Sequence, residues 1–384
     1  MRFDFATATR ILFGAGVARE VAPAANEMGR RALLVVGCRT ENAAWLGEAL
    51  KAEGIGCLSL AVQAEPSIDL VRQGTKLARR EQCDLVVALG GGSAIDAGKA
   101  IAALLANGGE LEDYLEVIGK GQLLRHPSVP FIAVPTTAGT GSEVTRNAVL
   151  ASAEHRFKVS LRSPLMLARL AVVDPELTLE LPPALTATTG LDALTQLIEP
   201  YVSLRANPLT DAFCLEGLPR VSRSLRRAYH FGHDLAARES MSLASLLGGL
   251  ALANSGLGVV HGFAAPLGGM FDAPHGAVCA ALLPHGVAVN IRAARARNPE
   301  GETLRRYETV ARLLTGNPGA LPEDGGEWVR QLCGEFQIPP LSSYGVQRQD
   351  VPTLVEMASK ASSTKGNPIT LTTDELGEVL TSAL

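Results

Sequence analysis

Four polar side chains in the second half of the chain have the types and positions needed to bind a metal ion. Asp192 and Gln196 lie four residues apart in GLDALTQLIEPYVS, so in a helix they share one face. His261 and His275 stand at breaks marked by glycine or proline in apolar sequence. One carboxylate and two imidazoles suit Zn²⁺ or Fe²⁺ and leave positions open for a substrate oxygen. The alternative is that each histidine is a structural residue of an apolar core.

A glycine-rich turn in the first half of the chain could bind phosphate. The segment DLVVALGGGSAIDAGKAIA runs from an apolar stretch through Gly91, Gly92 and Ser93 into a helical pattern. Glycine lets the backbone approach a ligand closely, and a helix N-terminus offers free N–H groups to a phosphate. The spacing matches neither the GxGxxG fingerprint nor the P-loop. The alternative is a tight turn before a helix that Ser93 and Asp96 close as a capping box.

A second polar loop follows another apolar run. The segment FIAVPTTAGTGSEVTRNAV carries five small hydroxyl residues, namely Thr136, Thr137, Thr140, Ser142 and Thr145. Ligands of parallel sheets bind at the carboxyl ends of the strands, where both polar loops would lie. The two loops together predict a cleft for a dinucleotide, against the alternative of an ordinary Ser/Thr loop.

The elements that must position these residues differ between the two halves. Strand-like runs at 31–37, 57–62, 84–90 and 131–135 alternate with helical patterns at 41–53, 67–81 and 93–107, and further strands are expected at 147–152 and 169–174. This alternation predicts a Rossmann-like parallel sheet with helices on both faces. The rest of the chain has helical patterns at 186–202, 207–225, 234–255, 275–293, 302–314 and 324–336. We therefore expect a dinucleotide-binding α/β domain over 1–178 and an all-helical metal- and substrate-binding domain over 179–384.

Composition excludes several classes of protein. The 384 residues are 47% hydrophobic and 19% charged with a net charge of -4, which argues against a disordered chain and against a globally basic nucleic-acid binder. Aromatic residues are 4%, too few for a base-stacking surface. The six cysteines form no C-x-x-C pair, as expected of reduced thiols in a cytoplasmic protein.

One uncharged stretch is long enough to cross a membrane. No Asp, Glu, Lys or Arg lies between Glu239 and Asp272. Glycines, Asn254 and His261 interrupt the stretch, so we expect a buried core helix that leads into a loop. The start of the chain has no apolar core of a secretory signal, and a cytoplasmic location without membrane contact is expected.

The motifs together resemble the iron-containing (group III) alcohol dehydrogenase family over nearly the whole chain. The matching segments are FGAG (13–16), GGGSAIDAGKA (90–100), PTTAGTGSEVT (135–145), Lys158, VVDPELT (172–178), GLDALTQLIEPYVS (190–203), NPLTDA (207–212), HGFAAPLGGMFDAPHG (261–276), LLPHGVAVN (282–290) and Asn367-Pro368. The resemblance implies a dehydroquinate synthase-like architecture and reversible oxidation of alcohols with NAD or NADP. It also implies that the turn at 91–93 holds the diphosphate, and that Thr136, Thr137, Thr140 and Ser142 line the cofactor with Lys158 near its ribose. Asp96 and Thr145 complete the expected cofactor-binding residues.

Two positions depart from the family pattern. The family holds its metal with one aspartate and three histidines, of which Asp192, His261 and His275 match three. The fourth position is Gln196, whose neutral amide oxygen is a weak ligand for Fe²⁺ or Zn²⁺. Gln196 is then either a weak fourth ligand or a hydrogen-bond donor to substrate. A further family histidine, associated with proton transfer, is Ala265 here.

The residues after the first long strand favour NADP over NAD. NAD-preferring family members often carry an aspartate at the position of Gly37, where it binds the ribose hydroxyls. The missing carboxylate and the nearby Arg39 favour the 2′-phosphate of NADP. The alternative is that Arg39 is a solvated loop residue.

These observations predict an NAD(P)-dependent alcohol dehydrogenase or aldehyde reductase. Hydride passes between the nicotinamide and a small alcohol or carbonyl, with His261, His275 and Gln196 as catalytic residues beside the metal. An alternative is an oxo-acid reductase related to maleylacetate reductases, in which no metal is tightly bound and a histidine supplies the proton. An NAD-using metal-dependent lyase and a non-catalytic NADP-binding protein rank lower. We expect the chain to form a homodimer or a larger homo-oligomer.

Overall fold

The computed structural model describes residues 2–38, 43–152, 154–155 and 157–384. The chain divides into two units. The first comprises Phe5–Thr137 and Gly141–Leu179, and the second comprises Ala138–Thr140, Glu180–Leu384 and the N-terminal residues up to Asp4. The assignment of cofactor binding to residues 1–178, and of metal and substrate binding to residues 179–384, stays a prediction.

The first unit is built on a parallel sheet. Its strands are β1 (Ile11–Phe13), β2 (Arg31–Val36), β3 (Gly56–Ala61), β4 (Leu85–Gly90), β5 (Phe131–Pro135) and β8 (Leu170–Val173), in the spatial order β1-β8-β5-β4-β2-β3. Every neighbouring pair is parallel. The β4, β5 and β8 strands are buried along their whole length, as expected where helices cover both faces of a sheet. The predicted parallel α/β fold is confirmed.

Two further strands form a separate ribbon. β6 (Asn147–Ser152) and β7 (Phe157–Arg162) pair antiparallel, with Ala151 opposite Lys158. The sequence predicts β6 but neither β1 nor β7. The three residues of β1 are too short to show a period, and the charged ends of β7 mask its apolar alternation.

The first unit contains helices around its sheet, one of which directly follows the turn after β4. They are α1 (Val21–Asn26), α2 (Ala44–Ala52), α3 (Ile68–Arg80), α4 (Gly92–Asn107) and α5 (Leu111–Tyr114). Residues 94–104 of α4 are all buried. A Cβ atom on Gly98 would lie 2.9 Å from Ala88 Cβ, so glycine lets α4 pack closely against β4. The strand, the glycine turn and the helix therefore form one tightly packed β-α unit.

The second unit is helical. Its helices are α6 (Pro183–Val202), α7 (Pro208–His230), α8 (Leu235–Ser255), α9 (Val259–Met270), α10 (His275–Arg297), α11 (Glu302–Thr315), α12 (Pro322–Glu335), α13 (Val351–Lys360) and α14 (Thr373–Ser382). Residues 180–384, all of which the structure describes, contain no strand. The expected all-helical composition is therefore observed, with α9, α13 and α14 added to the predicted helices.

The uncharged stretch between residues 239 and 272 is two helices rather than a helix and a loop. α8 ends at Ser255 and α9 begins at Val259, and the pair is bent by 97°. In the described part of the chain, α10 is long and apolar enough to cross a membrane, but 83% of its apolar window is buried inside the protein. Such burial is typical of a core helix, and the apolar residues of α8, α9 and α10 pack into one hydrophobic cluster.

Candidate functional site

A cluster of potential metal ligands lies inside the second unit. Asp192, His261, His275 and Cys279 place their ligand atoms within 4.8 Å of one another. Asp192 Oδ1 is 3.4 Å from His261 Nε2 and 3.6 Å from His275 Nε2. Cys279 Sγ is 3.8 Å from His275 Nε2. The structure thus brings three of the predicted residues together and adds a cysteine that the sequence analysis treated as one of six reduced thiols.

Three helices supply the side chains of the cluster. α6 carries Asp192 and Gln196 one turn apart, and α9 carries His261 in its first turn. α10 begins at His275, and Cys279 follows one turn later on the same face. This four-residue spacing between a histidine and a cysteine is the signal that could have identified Cys279.

Several buried polar atoms at the cluster have no hydrogen-bond partner. They are both carboxylate oxygens of Asp192 and Nε2 of His261, and Oε1 of Gln196, one turn after Asp192 on α6, also has no partner. The three residues are at most 7% exposed. Unpaired polar atoms are costly to bury, and a bound cation would satisfy the carboxylate and imidazole atoms. The residues present therefore fit a divalent metal.

The charges within the cluster shift the pKa values of its members. Burial lowers the pKa of His275, but the negative charges of Cys279 and Asp192 outweigh burial and raise this pKa to about 9. The pKa of His261 is likewise raised well above its ordinary value, because Cys279, Glu199 and Asp192 outweigh its burial. Burial raises the pKa of Asp192, but the two imidazoles overcome this effect and lower it. The acidic groups of the cluster therefore favour positive charge at the two imidazoles, and metal binding would release protons there.

A carboxylate behind the cluster orients the ring of His261. Glu199 Oε2 lies 2.7 Å from His261 Nδ1, and Oε1 accepts the backbone N–H of Val260 at 2.7 Å. When Nδ1 donates to Glu199, the lone pair of Nε2 remains for a metal. A Cβ atom on Gly258 would come 2.8 Å from Glu199 Oε1, so glycine makes room for this contact. Glu199 was not among the predicted site residues, although it lies on α6 seven residues after Asp192, at helical spacing.

An amide network extends from the same helix terminus. Asn367 Oδ1 accepts the N–H of Val259 at 3.1 Å, and Asn367 Nδ2 donates to Asn290 Oδ1 at 2.6 Å. Asn290 Nδ2 donates in turn to Tyr307 Oη at 3.2 Å. The first turn of α9 is therefore held by buried side chains from α6, α10, α11 and the segment before α14.

The predicted phosphate-binding turn lies at the carboxyl ends of adjacent parallel strands. Gly91, Gly92 and Ser93 are partly exposed where β4 passes into α4. A Cβ atom on Gly90 would lie 2.9 Å from the backbone nitrogen of Gly37, directly after β2. The chain leaves β2 for β3 on one side, whereas β4 lies on the other side. Such a switch in strand order is where open α/β sheets bind ligands.

The capping-box alternative for Ser93 and Asp96 is wrong. α4 begins at Gly92 with Gly91 before it, and no side chain caps the helix. Asp96 is buried within α4, and its Oδ2 accepts the N–H of Val149 on β6 at 2.9 Å. Asp96, predicted to bind the cofactor, therefore connects α4 to β6.

The second polar loop begins beside the glycine turn. Thr136 donates its N–H to the carbonyl of Gly90 at 3.0 Å, and a Cβ atom on Gly91 would lie 3.4 Å from Thr137 Cγ2. Both threonines are partly exposed, so their placement agrees with the predicted polar crevice. Thr140 belongs to the second unit.

Other predicted cofactor residues surround a buried lysine. Lys99 donates to the carbonyl of Ser142 at 2.8 Å, to Thr145 Oγ1 at 3.0 Å and to the carbonyl of Asn147 at 2.7 Å. Lys99 is 0% exposed and lies 3.6 Å from Asp96 Oδ1. The sequence analysis missed this lysine, although it is the single charged residue after Asp96 in an otherwise apolar helix.

Two further predicted residues have different outcomes. Lys158 is buried on β7 and forms an ion pair with Glu65 at 3.1 Å, while a ribose contact stays a prediction. Arg39, predicted to bind the 2′-phosphate, lies outside the described residues.

Comparisons with known proteins agree with this architecture. The family model described as iron-containing alcohol dehydrogenase matches residues 8–175, and the model of the C-terminal part of that family matches residues 186–384. The 1,3-propanediol dehydrogenase of Klebsiella pneumoniae is 40% identical over 313 residues, covering 80% of this chain and 78% of that protein. A crystal structure of a 1,3-propanediol oxidoreductase superposes with a TM-score of 0.92 at 36% identity, covering 100% of both chains. The sulfoacetaldehyde reductase of Bifidobacterium kashiwanohense in complex with NAD+ gives a TM-score of 0.86 at 27% identity, covering 100% of this chain and 99% of that chain.

The first unit has a parallel sheet with a strand-order switch, and the helical unit has a carboxylate–imidazole cluster that fits a metal ion, as in a metal-binding α/β enzyme. The chain belongs to the iron-containing alcohol dehydrogenase family. It is therefore an oxidoreductase that acts on CH–OH groups, in a family that uses NAD or NADP and iron or another divalent metal.

Proposed function

We propose that the chain is a metal-assisted alcohol dehydrogenase that interconverts a small primary alcohol and its aldehyde. The observation that carries this proposal is the cluster of Asp192, His261 and His275, in which the carboxylate oxygens of Asp192 and Nε2 of His261 are buried without hydrogen-bond partners. A divalent metal held there supplies a Lewis acid for the alcohol or carbonyl oxygen. The similarity to a 1,3-propanediol dehydrogenase supports a short alcohol as substrate.

Each residue of the cluster has a distinct role in this proposal. Asp192 provides the negative charge that holds the cation. His261 presents Nε2 because Glu199 accepts the hydrogen of Nδ1. His275 is the more exposed imidazole, with 33% of its side chain accessible, so it is the ligand beside which substrate can enter. Ala265 has no basic side chain to accept a proton, so the alcohol proton does not leave through this position.

The cofactor is proposed to bind along the glycine turn. Free N–H groups at the start of α4 suit the diphosphate, and the hydroxyl of Thr137 lies 3.5 Å from where a Cβ atom on Gly91 would be. We propose NADP as the preferred form because Gly37 offers no carboxylate to the adenosine ribose and would not repel a 2′-phosphate. The chain is proposed to act as a homo-oligomer in the cytoplasm.

The metal-free oxo-acid reductase has less support. Its mechanism needs a histidine free to supply a proton, whereas both histidines lie within 3.6 Å of Asp192 in a ligand-like cluster. The structural similarity to a sulfoacetaldehyde reductase supports testing aldehydes with an anionic group beside neutral ones.

The test measures cofactor reduction with short alcohols and cofactor oxidation with the aldehydes, using NAD and NADP in parallel. Chelator-treated protein should lose activity and regain it with Zn²⁺ or Fe²⁺. The His275→Ala variant should lose at least about 100-fold in kcat/KM, since an active-site electrostatic contact is removed. His233→Ala, which changes an exposed histidine, is the matched control and should retain activity. Full activity after complete metal removal would refute the metal-assisted mechanism.

A further inference from the structure

We propose that Cys279 is a metal ligand, so that this chain holds its metal with one carboxylate, two imidazoles and one thiolate. The inference rests on the proposed function, because it concerns the same metal site. The third histidine of the family pattern, which is its fourth metal ligand, is Gln196 in this chain. A thiolate from α10 then supplies the donor that α6 no longer provides.

The distances within the cluster suit an ion with four protein ligands, which would become five-coordinate when it accepts the substrate oxygen. With bond lengths typical of zinc, neighbouring ligand atoms of a tetrahedral site lie about 3.3 Å apart for nitrogen and oxygen and about 3.6 Å apart for nitrogen and sulfur. The separations from Asp192 Oδ1 to the two imidazoles are 3.4 and 3.6 Å. The separation between Cys279 Sγ and His275 Nε2 is 3.8 Å. The remaining pairs of ligand atoms lie within 4.8 Å of one another, so a common centre needs shifts of at most about 1 Å in the more distant atoms.

The surroundings of Cys279 differ from those of the other cysteines. In the described part of the chain, this is the one group of three or more His, Cys, Asp or Glu residues with ligand atoms so close together. Cys279 itself is 0% exposed, and Asp192 and His261 beside it have buried atoms without hydrogen-bond partners. The thiol therefore lies in a group of close ligand atoms, two of whose residues have unpaired buried atoms, and is not an isolated core residue.

The donor set also has a consequence for the choice of metal. Thiolate is a soft ligand, and a tetrahedral site with sulfur and nitrogen donors is typical of zinc. Zn²⁺ also binds more tightly than Fe²⁺ in the usual order of divalent metals. The chain is thus a zinc-preferring member of a family named for iron.

Cobalt substitution of the full-length protein tests the ligation without relying on activity. Chelator-treated protein is titrated with Co²⁺ and followed in the visible region and the near ultraviolet. The wild type should gain visible bands of bound Co²⁺ together with a near-ultraviolet sulfur-to-cobalt charge-transfer band. Cys279→Ser should lose the charge-transfer band, whereas Cys333→Ser, which changes a cysteine outside the cluster, should keep it.

The possible results separate this inference from the proposed function. Visible bands without a charge-transfer band in the wild type, or an unchanged band in Cys279→Ser, overturn thiolate ligation and leave the metal-assisted mechanism standing. Failure of the wild type to bind Co²⁺ overturns both. A competition titration adds an affinity test, in which Cys279→Ser should bind Zn²⁺ at least about tenfold more weakly. Equal Zn²⁺ affinity of the variant and the wild type would also refute the inference.

Discussion

At the scale of single residues, the metal site combines predictable and unpredictable parts. Asp192, His261 and His275 could be found in the sequence because charged or imidazole groups stand out in apolar segments. Cys279 was missed, since cysteine is among the residue types most often buried in apolar cores and its four-residue spacing from His275 indicates a site only when both are read as one helix face. Glu199 was missed because its role depends on the N–H groups of a distant helix.

Replacing Glu199 by glutamine should weaken metal binding by about 10- to 100-fold. Both carboxylate oxygens accept hydrogen bonds, from Val260 N and His261 Nδ1, and an amide can accept only at one of the two positions. The measurement is a Zn²⁺ titration against a chromophoric chelator. Glu216→Gln, which changes an exposed side chain on α7, is the control. An unchanged Zn²⁺ affinity in Glu199→Gln would show that the Glu199 carboxylate does not orient His261.

The double variant Cys279→Ala/Gln196→His should recover Zn²⁺ affinity relative to Cys279→Ala alone, by about tenfold or more. Residue 196 lies one turn from Asp192, where the family carries its third histidine, so an imidazole there can replace the lost donor. Adding Gln331→His instead gives the control, because Gln331 is exposed on α12. The chelator competition described for Glu199 measures both, and no recovery would exclude position 196 as a ligand position in this chain.

At the scale of elements, the hydrophobic periodicity of the sequence predicted most of the strands and helices but not the connections between them. The β2, β4 and β5 strands carry long apolar runs, so their burial in a parallel sheet could be anticipated. The loop expected after Ser255 is instead α9, because buried side chains of Glu199 and Asn367 satisfy the N–H groups at its start. Such long-range capping leaves no local signal in the sequence.

Cofactor preference can be tested at the contact between the ends of β2 and β4. Gly37→Asp should raise the ratio of NAD to NADP activity, since a carboxylate binds the ribose hydroxyls and repels a 2′-phosphate. Any side chain at this position also has a steric effect, because a Cβ atom on residue 37 would lie 3.3 Å from Gly90 Cα. Gly37→Ala is therefore the necessary control. Ratios of kcat/KM that are equal in the two variants would contradict the charge argument.

Lys99 joins α4 to the loop after β5 and to β6, and its loss should destabilise the first unit. Lys99→Met leaves the carbonyls of Ser142 and Asn147 without their buried cation, and a cost of about 3–5 kcal/mol is expected. Urea unfolding measures the change in the free energy of unfolding. Lys76→Met on the exposed side of α3 should be nearly neutral, and a similarly small effect at Lys99 would contradict this role.

At the scale of the whole molecule, the two-part organisation was predictable because the composition of the chain changes from alternating elements to helices alone. The buried electrostatics were not, since they depend on partners far apart in sequence. Glu143 is an example: burial raises its pKa from 4.5 to about 7, although the nearby positive charge of Lys99 opposes the shift.

This shift predicts how global stability depends on pH. The unfolded chain loses the Glu143 proton near pH 4.5 and the folded chain near pH 7, so the stabilisation present below pH 4.5 is lost as pH rises to 7. Glu143→Gln cannot ionise and should become more stable relative to the wild type between pH 5 and pH 8, by at most about 3 kcal/mol. Chemical unfolding at several pH values measures this difference. A difference independent of pH would mean that Glu143 does not ionise in this range.

The carboxylate of Glu199 touches a helix terminus with one oxygen and an imidazole with the other. A tilt of α9 and a rotation of the His261 ring are thereby mechanically linked, because each of them moves the carboxylate of Glu199. Exchange of Glu199, Gly258 or His261 one at a time breaks this linkage. An alternative arrangement at this junction would accordingly require concerted replacement of all three.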